Sequence, residues 1–369
     1  MRVADKMNDR ELKNFLKLSL VKGIGYKFLK EFYDTFGSFG EAFEVNLHKF
    51  LKERVSQKRA EEILHLIKDD RNFSPVWGFL QKFRVEVIPF FDPQFPTDLE
   101  DLGITFPALY VLGEFNPNGF SIVGTRKASA EGRLKAREFA KALAWEGYIV
   151  ISGGAEGIDR SAHEGALSVG GKTGVILGEG LAIFLKRNSR FAEKVLKNGG
   201  FLISQFPPFT IGAKWTYPLR NSLIAYFGIY GTLIVEAPTK SGALITADYV
   251  LKLKRPLYVY LNCVRNPLYG GNLKLLKECK AKLITETGEL LKHLDEEKIT
   301  QFPRIGEIPK EKIPKEDELL QKLLKEKPRT FDELVALSGF SEEDLLEQLT
   351  LLELDGKVVQ EGGFYRWVD

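Results

Sequence analysis

Cysteine, histidine and long apolar runs are scarce in this 369-residue sequence, and each scarcity excludes a class of protein. The two cysteines, Cys263 and Cys279, are too few for a disulfide framework and do not form a C-x-x-C pair. With only four histidines no ligand pattern is completed, so we predict no metal and no cofactor. No stretch has the length of a membrane-spanning helix, and the N-terminus lacks the apolar segment of a signal peptide. We therefore expect a cytoplasmic protein without membrane contact.

The formal net charge of +3 is small, but the charges are unevenly distributed. Residues 316–369 hold 6 Lys and Arg against 14 Asp and Glu, a net charge of −8, which leaves +11 for residues 1–315. Residues 1–72 carry only +3 of this excess, so residues 73–315 carry +8. A polyanion would therefore bind the middle of the chain, although a solvated basic surface would have the same composition.

The sequence predicts a small domain at each end of the chain. Residues 1–72 predict a helical domain, whose Gly23-Ile24-Gly25 turn is typical either of a tight helical hairpin or of a phosphate-contacting helix-hairpin-helix or sterile-alpha-motif module. Prolines in residues 301–315 indicate a linker. Residues 316–369 predict a winged helix, with helices at 316–326, 331–338 and 341–355 followed by two strands. Because its charge would repel a duplex, we expect it to contact protein or support a dimer.

Residues 73–300 predict an extended, Rossmann-like domain. An extended, proline-rich stretch at 85–111 comes first. Six short apolar runs then alternate with helix-length segments: FSIVG, YIVISGG, TGVILG, GFLISQ, TLIVEA and PLYVYL. This alternation predicts an α/β fold with a doubly wound, mostly parallel sheet. Since parallel strands all end at one edge, the loops that follow them should converge there and form the binding site.

Three strand-to-helix turns and one long loop carry the candidate binding residues. The turns offer backbone amides, glycines that let a ligand approach, and hydroxyl or cationic side chains, all suited to a phosphate. The long loop interleaves cations with Phe206, Phe209, Trp215 and Tyr217, a pattern suited to single-stranded bases. Close packing of helix on sheet, or an aromatic lid over the core, would use the same residue types. The candidates are Gly124, Thr125, Arg126, Ser152, Gly153, Gly154, Gly157, Lys214, Arg220, Asn221, Lys240 and Ser241.

Two acidic positions invite a catalytic interpretation. Asp159 and His163 lie four residues apart on a helix, and we expect a helix cap and a helix-face pair rather than a metal or acid–base site. Glu236 is the candidate carboxylate of an alternative function, a nucleotide N-glycosidase-like Rossmann enzyme of the lysine-decarboxylase-like group. The P-G-G-x-G-T-x-x-E phosphate motif of that group is missing, so we expect a protein that is not an enzyme.

The order of these motifs resembles the DNA processing protein A (DprA/Smf) family. The likeness is carried by Gly124-Thr125-Arg126, by residues 152–159 with His163, and by residues 218–221 and 241–247. The resemblance implies a homodimeric recombination mediator that binds single-stranded DNA and protects it during natural transformation. It further implies displacement of single-strand binding protein and loading of RecA recombinase. By the same resemblance Lys172, in a Gly-Gly-Lys-Thr segment, becomes a candidate DNA-binding residue.

Overall fold

The computed structural model describes residues 9–40, 42–301, 316–338, 345, 349, 352, 357–361 and 364–367. The chain divides into two compact units, Met1–Thr300 and Gln301–Asp369. None of the helices in the described part is both long and apolar enough to cross a membrane.

The first unit begins with five short helices around an aromatic core. They are α1 (Asp9–Ser19), α2 (Tyr26–Phe36), α3 (Phe43–Arg54), α4 (Gln57–Lys68) and α5 (Phe73–Phe83). Phe32 stacks on Phe39 with ring centroids 5.1 Å apart, and Phe15 meets Phe39 edge to face at 5.4 Å. The turn between α1 and α2 has Gly23 at a φ of 85°, a conformation that favours glycine. The predicted helical hairpin is therefore present at this turn.

A nine-stranded sheet follows these helices. Its strands lie in the spatial order β1-β2-β6-β5-β4-β3-β7-β8-β9. In this order, all neighbouring strands between β6 and the edge strand β9 pair in parallel. The six predicted strands are confirmed as β3 to β8, and the mostly parallel, doubly wound α/β fold with them. The strands are β1 (Glu86–Pro89), β2 (Ala108–Gly113), β3 (Gly119–Val123), β4 (Ile149–Ser152), β5 (Thr173–Leu177), β6 (Phe201–Ser204), β7 (Thr232–Ile234), β8 (Leu257–Tyr260) and β9 (Lys282–Ile284).

The stretch at 85–111 is more regular than the sequence suggests. It forms β1 and β2, an antiparallel pair that extends the sheet because β2 also pairs antiparallel with β6. A 3-10 helix, Thr97–Leu102, connects the two strands. The strand β9 at the opposite edge was not predicted from the sequence.

Helices cover both faces of the sheet. They are α6 (Ala130–Trp145), α7 (Ile158–Ser168), α8 (Leu181–Lys197), α9 (Thr216–Phe227), α10 (Ala243–Lys252), α11 (Gly270–Lys277) and α12 (Thr287–Gln301). Residues of α6, α7 and α12 share one apolar cluster with β3, whereas α9 and α10 belong to another. Strands β4, β5 and β6 are added one after another on one side of β3. The chain then crosses to the other side of β3, where it adds β7 to β9, so the winding direction reverses between the neighbours β3 and β7. Ligands of such sheets bind at this point.

The second unit has its own small core. It contains α13 (Glu316–Glu326), β10 (Arg329–Thr330), α14 (Phe331–Ser338), β11 (Val358–Glu361) and β12 (Phe364–Trp367). The strands form an antiparallel sheet in the order β10-β12-β11, as the wing of a winged helix requires. Most of the predicted helix at 341–355 lies outside the described residues, but Leu345, Leu349 and Leu352 are buried in this core. The predicted linker, apart from Gln301, also lies outside them, and the domain boundaries stay predictions.

Candidate nucleic-acid interface

A cleft of about 710 Å³ opens where β3 and β7 end. Its walls come from the turn after β3, the loop before α9, the start of α9 and the turn before α10, and the turn after β4 adds Ala155 and the carboxylate-bearing Asp159. The cleft brings together eight of the predicted binding residues, which places them at the winding reversal rather than on separate faces. These are Gly124, Thr125, Arg126, Lys214, Arg220, Asn221, Lys240 and Ser241.

Arg126 is the exposed cation of the turn after β3. Its guanidinium carbon lies 4.9 Å from the centroid of the Tyr217 ring, within the range of a cation–π contact. The Arg220 guanidinium lies 5.9 Å from the same ring. Among the described residues no carboxylate forms an ion pair with Arg126. Two guanidinium groups thus converge on one aromatic ring, and one of them is open to an anionic ligand.

Arg220 is almost completely buried, with 4% of its surface exposed. Its Nη1 donates to the carbonyl oxygens of Gly153 and Ile176, and its Nε donates to Asn221. No hydrogen bond to Nη2 is found in the described part of the chain, and the side chain lines the cleft. Burial lowers the pKa of Arg220 and the Arg126 charge lowers it further, whereas Asp159 raises it. Arg220 therefore joins the ends of β4 and β5 beneath the cleft and places a buried positive charge at its lining.

The glycine-rich turn after β4 lies under Arg220. A Cβ atom on Gly153 would lie 2.3 Å from Arg220 Nη1 and 2.6 Å from Asp159 Oδ2, so only glycine fits. Gly157 has a φ of 89°, and its Cα lies against the backbone of the Arg126 turn. Of the predicted residues in this segment, Ser152, Gly153, Gly154 and Gly157 do not line the cleft themselves. They support the residues that do.

Asp159 occupies the inside of the same turn. Burial raises its pKa, while Arg220, the amides of Ala155 and Gly153 and the Ser152 hydroxyl stabilise the charged form. The expected helix-cap role is only partly correct, because Gly157 is the N-cap of α7 and Asp159 lies in the first turn. The Asp159 carboxylate satisfies donors that we predicted would face a phosphate.

Glu236 likewise accepts hydrogen bonds inside the protein, at the start of α6. Its buried carboxylate accepts hydrogen bonds from the Ser129 amide, at 2.9 Å, and from the Ser129 hydroxyl. Its backbone oxygen accepts from the Thr125 amide at 2.7 Å, so Glu236 clamps both ends of the turn that carries Arg126. It does not line the cleft. A carboxylate in this position is suited to holding the turn and has no access to a substrate, which argues against the N-glycosidase-like alternative.

The start of α10 faces the cleft without such an internal carboxylate. Gly242 is its N-cap and contributes no capping side chain. Asn221 Nδ2 donates to the Gly242 carbonyl at 3.2 Å and so connects α9 with this turn. Lys240 is exposed and Ser241 half-buried beside it. The first amides of α10 are bonded within the turn itself, since Ala243 N–H donates to Ser241 Oγ at 3.3 Å and Leu244 N–H donates to the Ser241 carbonyl at 3.1 Å. The group that this turn offers to an anion is therefore the exposed Lys240 side chain.

The aromatic loop before α9 divides into buried and exposed members. Phe206 is 7% exposed and packs edge to face with Trp215 at 5.8 Å, so it is part of the core. Phe209 and Trp215 are 46% and 60% exposed. Phe206 therefore matches the expected lid over the core, whereas a surface for bases at Phe209 and Trp215 stays a prediction.

Lys172 is not part of the cleft. It precedes β5, so it lies at the edge where the parallel strands begin, opposite the cleft. There its Nζ pairs with Glu114 Oε2 at 3.0 Å. Its predicted role in DNA binding stays a prediction and would need a second contact surface.

His163 is completely buried on α7 and hydrogen-bonds Thr173 through Nδ1 at 2.7 Å. Burial lowers its pKa to about 3, with smaller contributions from the charges of Arg160 and Arg220. A histidine in this state is suited to packing and not to proton transfer near neutral pH. Within the described residues, no group of three or more His, Cys, Asp or Glu side chains could hold a metal ion.

Several cleft residues could not be identified from the sequence. Ala213, Ile224 and Ala243 contribute apolar wall and carry no chemical signal. Tyr217 belongs to the predicted aromatic loop. Its closeness to both Arg126 and Arg220 could not be predicted, because it depends on the burial of Arg220.

The strand order and the cleft at the winding reversal define a Rossmann-like protein, and its chain continues into a winged helix. The chain belongs to the DNA recombination-mediator protein A family, whose profile matches residues 86–295, and a DprA winged-helix profile matches residues 307–363. It is 29% identical to Protein Smf of Synechocystis, over 97% of this chain and 98% of that protein. It is 37% identical to Protein Smf of Escherichia coli, over 51% of this chain and 50% of that protein.

Solved structures show the same fold. DNA processing protein A from Streptococcus pneumoniae superposes with a TM-score of 0.59 at 24% identity, over 78% of this chain and 98% of that chain. DNA processing protein A from Helicobacter pylori, whose single-stranded DNA binding mode has been described, gives a TM-score of 0.50 at 23% identity, over 58% of this chain and 97% of that chain.

Proposed function

We propose that this chain binds single-stranded DNA in the cleft and takes part in DNA processing as a recombination mediator. The observation that carries the proposal is the convergence of Arg126 and Arg220 on the Tyr217 ring, with Arg126 free of any carboxylate among the described residues. A guanidinium beside an aromatic ring offers both things that a single strand needs, a phosphate contact and a stacking face.

The arrangement of groups around the cleft fits a strand rather than a small anion. Lys214 and Lys240 lie on different walls, so consecutive phosphates can each meet a cation. Trp215, exposed two residues before Tyr217 in the loop, can receive a splayed base. A duplex keeps its bases stacked inside, and it cannot enter a concave site of this kind without melting. We therefore infer a preference for single-stranded over double-stranded DNA.

The wider role follows from family membership. The Helicobacter pylori protein of this family has a single-stranded DNA binding mode, and this supports the same ligand for the present chain. We further propose that the chain acts as a homodimer in the cytoplasm, without a cofactor and without catalysing a reaction. In this role it would protect incoming DNA during natural transformation, displace single-strand binding protein and load RecA recombinase.

The test compares Arg126→Ala with Lys194→Ala, since each change removes one exposed cation and Lys194, on α8, does not line the cleft. Binding of a fluorescein-labelled (dT)20 is measured by fluorescence polarisation across a series of salt concentrations. A charge-assisted hydrogen bond contributes about 1.5–3 kcal/mol, so Arg126→Ala should weaken binding by roughly 10- to 100-fold. The slope of log K against log salt should become shallower by about 0.7 for each phosphate that the variant no longer neutralises.

We expect Lys194→Ala to stay within about twofold of the parent, because Lys194 lies outside the cleft. Equal losses for the two variants, or unchanged binding by Arg126→Ala, would contradict the proposed site. Equal affinity for a 20-base-pair duplex would contradict the inferred preference. RecA loading is tested separately, by the lag before RecA hydrolyses ATP on DNA coated with single-strand binding protein.

A further inference from the structure

A second groove, of about 810 Å³, lies between α5 and α8 and shares no lining residue with the cleft. One wall is the α8 stripe Ala182, Leu185, Ser189, Ala192 and Leu196. The stripe has the alternating three- and four-residue spacing of a coiled-coil seam, although α8 has a break in its helical geometry at Asn188. Such a seam is the surface against which another helix packs.

The opposite wall is aromatic. Phe79 and Phe83 of α5 pack with ring centroids 4.7 Å apart, and Phe83 remains 40% exposed. Leu112 of β2 closes the floor. Large apolar side chains that line a groove and stay open to solvent mark a binding surface more often than isolated exposed residues do.

The rim of the groove is strongly basic. Lys82 and Arg84 lie on the α5 side and Lys186 lies on α8. None of the three pairs with a carboxylate within the described ranges. Glu193, the acid that lines the groove, is neutralised by Lys197 at 2.9 Å. The potential over the groove is therefore positive on both sides of an apolar floor.

We propose that this groove binds an acidic amphipathic helix of a partner protein, with the apolar stripe of that helix on the floor and its carboxylates against the rim. Helices bind grooves in this way through apolar residues that recur every three or four positions. The same face of a second copy of the chain would bind poorly. In a two-fold symmetric contact the basic rim of one copy would lie against the basic rim of the other, and the two would repel. A single strand of DNA would find aromatic faces only on the α5 wall, and the aliphatic α8 seam that makes up the other wall would be left uncovered.

Two synthetic peptides test the proposal on the full-length chain. Both carry leucine in the same three-and-four spacing over five helical turns, and the flanking positions are glutamate in one and lysine in the other. Binding of each fluorescein-labelled peptide is followed by fluorescence polarisation. We expect the acidic peptide to bind at least tenfold more tightly than the basic one.

The variants Lys186→Glu and Lys194→Glu give a matched pair on one helix. Both residues are exposed and both substitutions reverse one charge, but Lys194 does not line the groove. Lys186→Glu should weaken the acidic peptide at least tenfold, whereas Lys194→Glu should change its affinity less than twofold. Ser189→Glu, an exposed change in the middle of the stripe, should weaken binding as well, and thermal melts establish that each variant is folded.

Three results would overturn the proposal. In the first, neither peptide binds or both bind equally. In the second, Lys194→Glu weakens the acidic peptide as much as Lys186→Glu does. In the third, Lys186→Glu weakens (dT)20 binding or changes the mass of the protein in solution while the acidic peptide does not bind, which would assign the groove to nucleic acid or to a second copy.

Discussion

Lowering the pH from 7.5 to 5 should destabilise this protein through His163. The Thr173 hydroxyl donates its proton to the Val150 carbonyl at 2.5 Å, so its oxygen must accept from His163 Nδ1. The neutral ring then carries its lone pair on Nε2, which is buried and has no hydrogen-bond partner among the residues that the structure describes. A proton added there would have no acceptor, and its charge would lie near Arg160 and Arg220.

The size of the effect follows from the two pKa values. The folded protein holds the pKa of His163 at about 3, below the ordinary value of 6.5. Between these values the unfolded chain binds a proton that the folded chain does not, so stability falls as the pH decreases. From pH 7.5 to pH 5 the loss amounts to about 2 kcal/mol. Because pH 5 is well above the folded pKa, this figure depends almost entirely on the unfolded value.

Urea unfolding at the two pH values measures the loss, and His163→Gln is the comparison. Glutamine can still donate to Thr173 but does not titrate, so the variant should lose about 2 kcal/mol less stability over this pH interval than the parent does. The same pH dependence in parent and variant would show that His163 is protonated in the folded state, and the account of its buried lone pair would be wrong.

Two further substitutions probe the turns under the cleft. Gly153→Ala should destabilise the fold and weaken (dT)20 binding, because the new Cβ would lie 2.3 Å from Arg220 Nη1. Gly288→Ala is the control, since its Cβ would have no neighbour within 4 Å in the described part of the chain. Thermal melts and fluorescence polarisation compare the two variants. Glu236→Gln removes a charged acceptor from Ser129 and should cost about 1–3 kcal/mol in urea unfolding. It should also weaken (dT)20 binding through the Arg126 turn, while Glu138→Gln on the surface of α6 should do neither. Intact DNA binding in Glu236→Gln would show that the Arg126 turn keeps its shape without the clamp.

The central sheet could be predicted because its strands are buried on both faces. Strands of this kind appear as continuous apolar runs, and β3 to β8 are buried throughout. The strand β9 is only three residues long, and Lys282 and Leu283 are exposed at the sheet edge. In β1, Pro89 ends an edge strand, a position that tolerates proline but that weakens the strand signal in the sequence.

The candidate site was predictable in its position but not in the roles of its residues. The order of strands and turns places Arg126 and Ser241 at the carboxyl edge, and it also places Lys172, which precedes a strand, at the other edge. The burial of Arg220 could not be predicted, since arginine is rarely buried unless its donors are satisfied. The partners that satisfy them are carbonyl groups from two different strand ends, brought together only by the tertiary fold.

The buried carboxylates of Glu236 and Asp159 determine which groups of the cleft remain available to bind DNA. Glu236 binds donors at the start of α6 and Asp159 binds donors in the turn before α7. Each carboxylate takes up donors that a bound phosphate would otherwise satisfy, so these turns do not need DNA to hold their shape. Binding then costs little ordering of the protein, and the groups that remain to hold the strand are Arg126, Lys240 and the aromatic loop. Because few of these are fixed donors and several are flexible cations or rings, affinity should depend strongly on salt and weakly on base sequence.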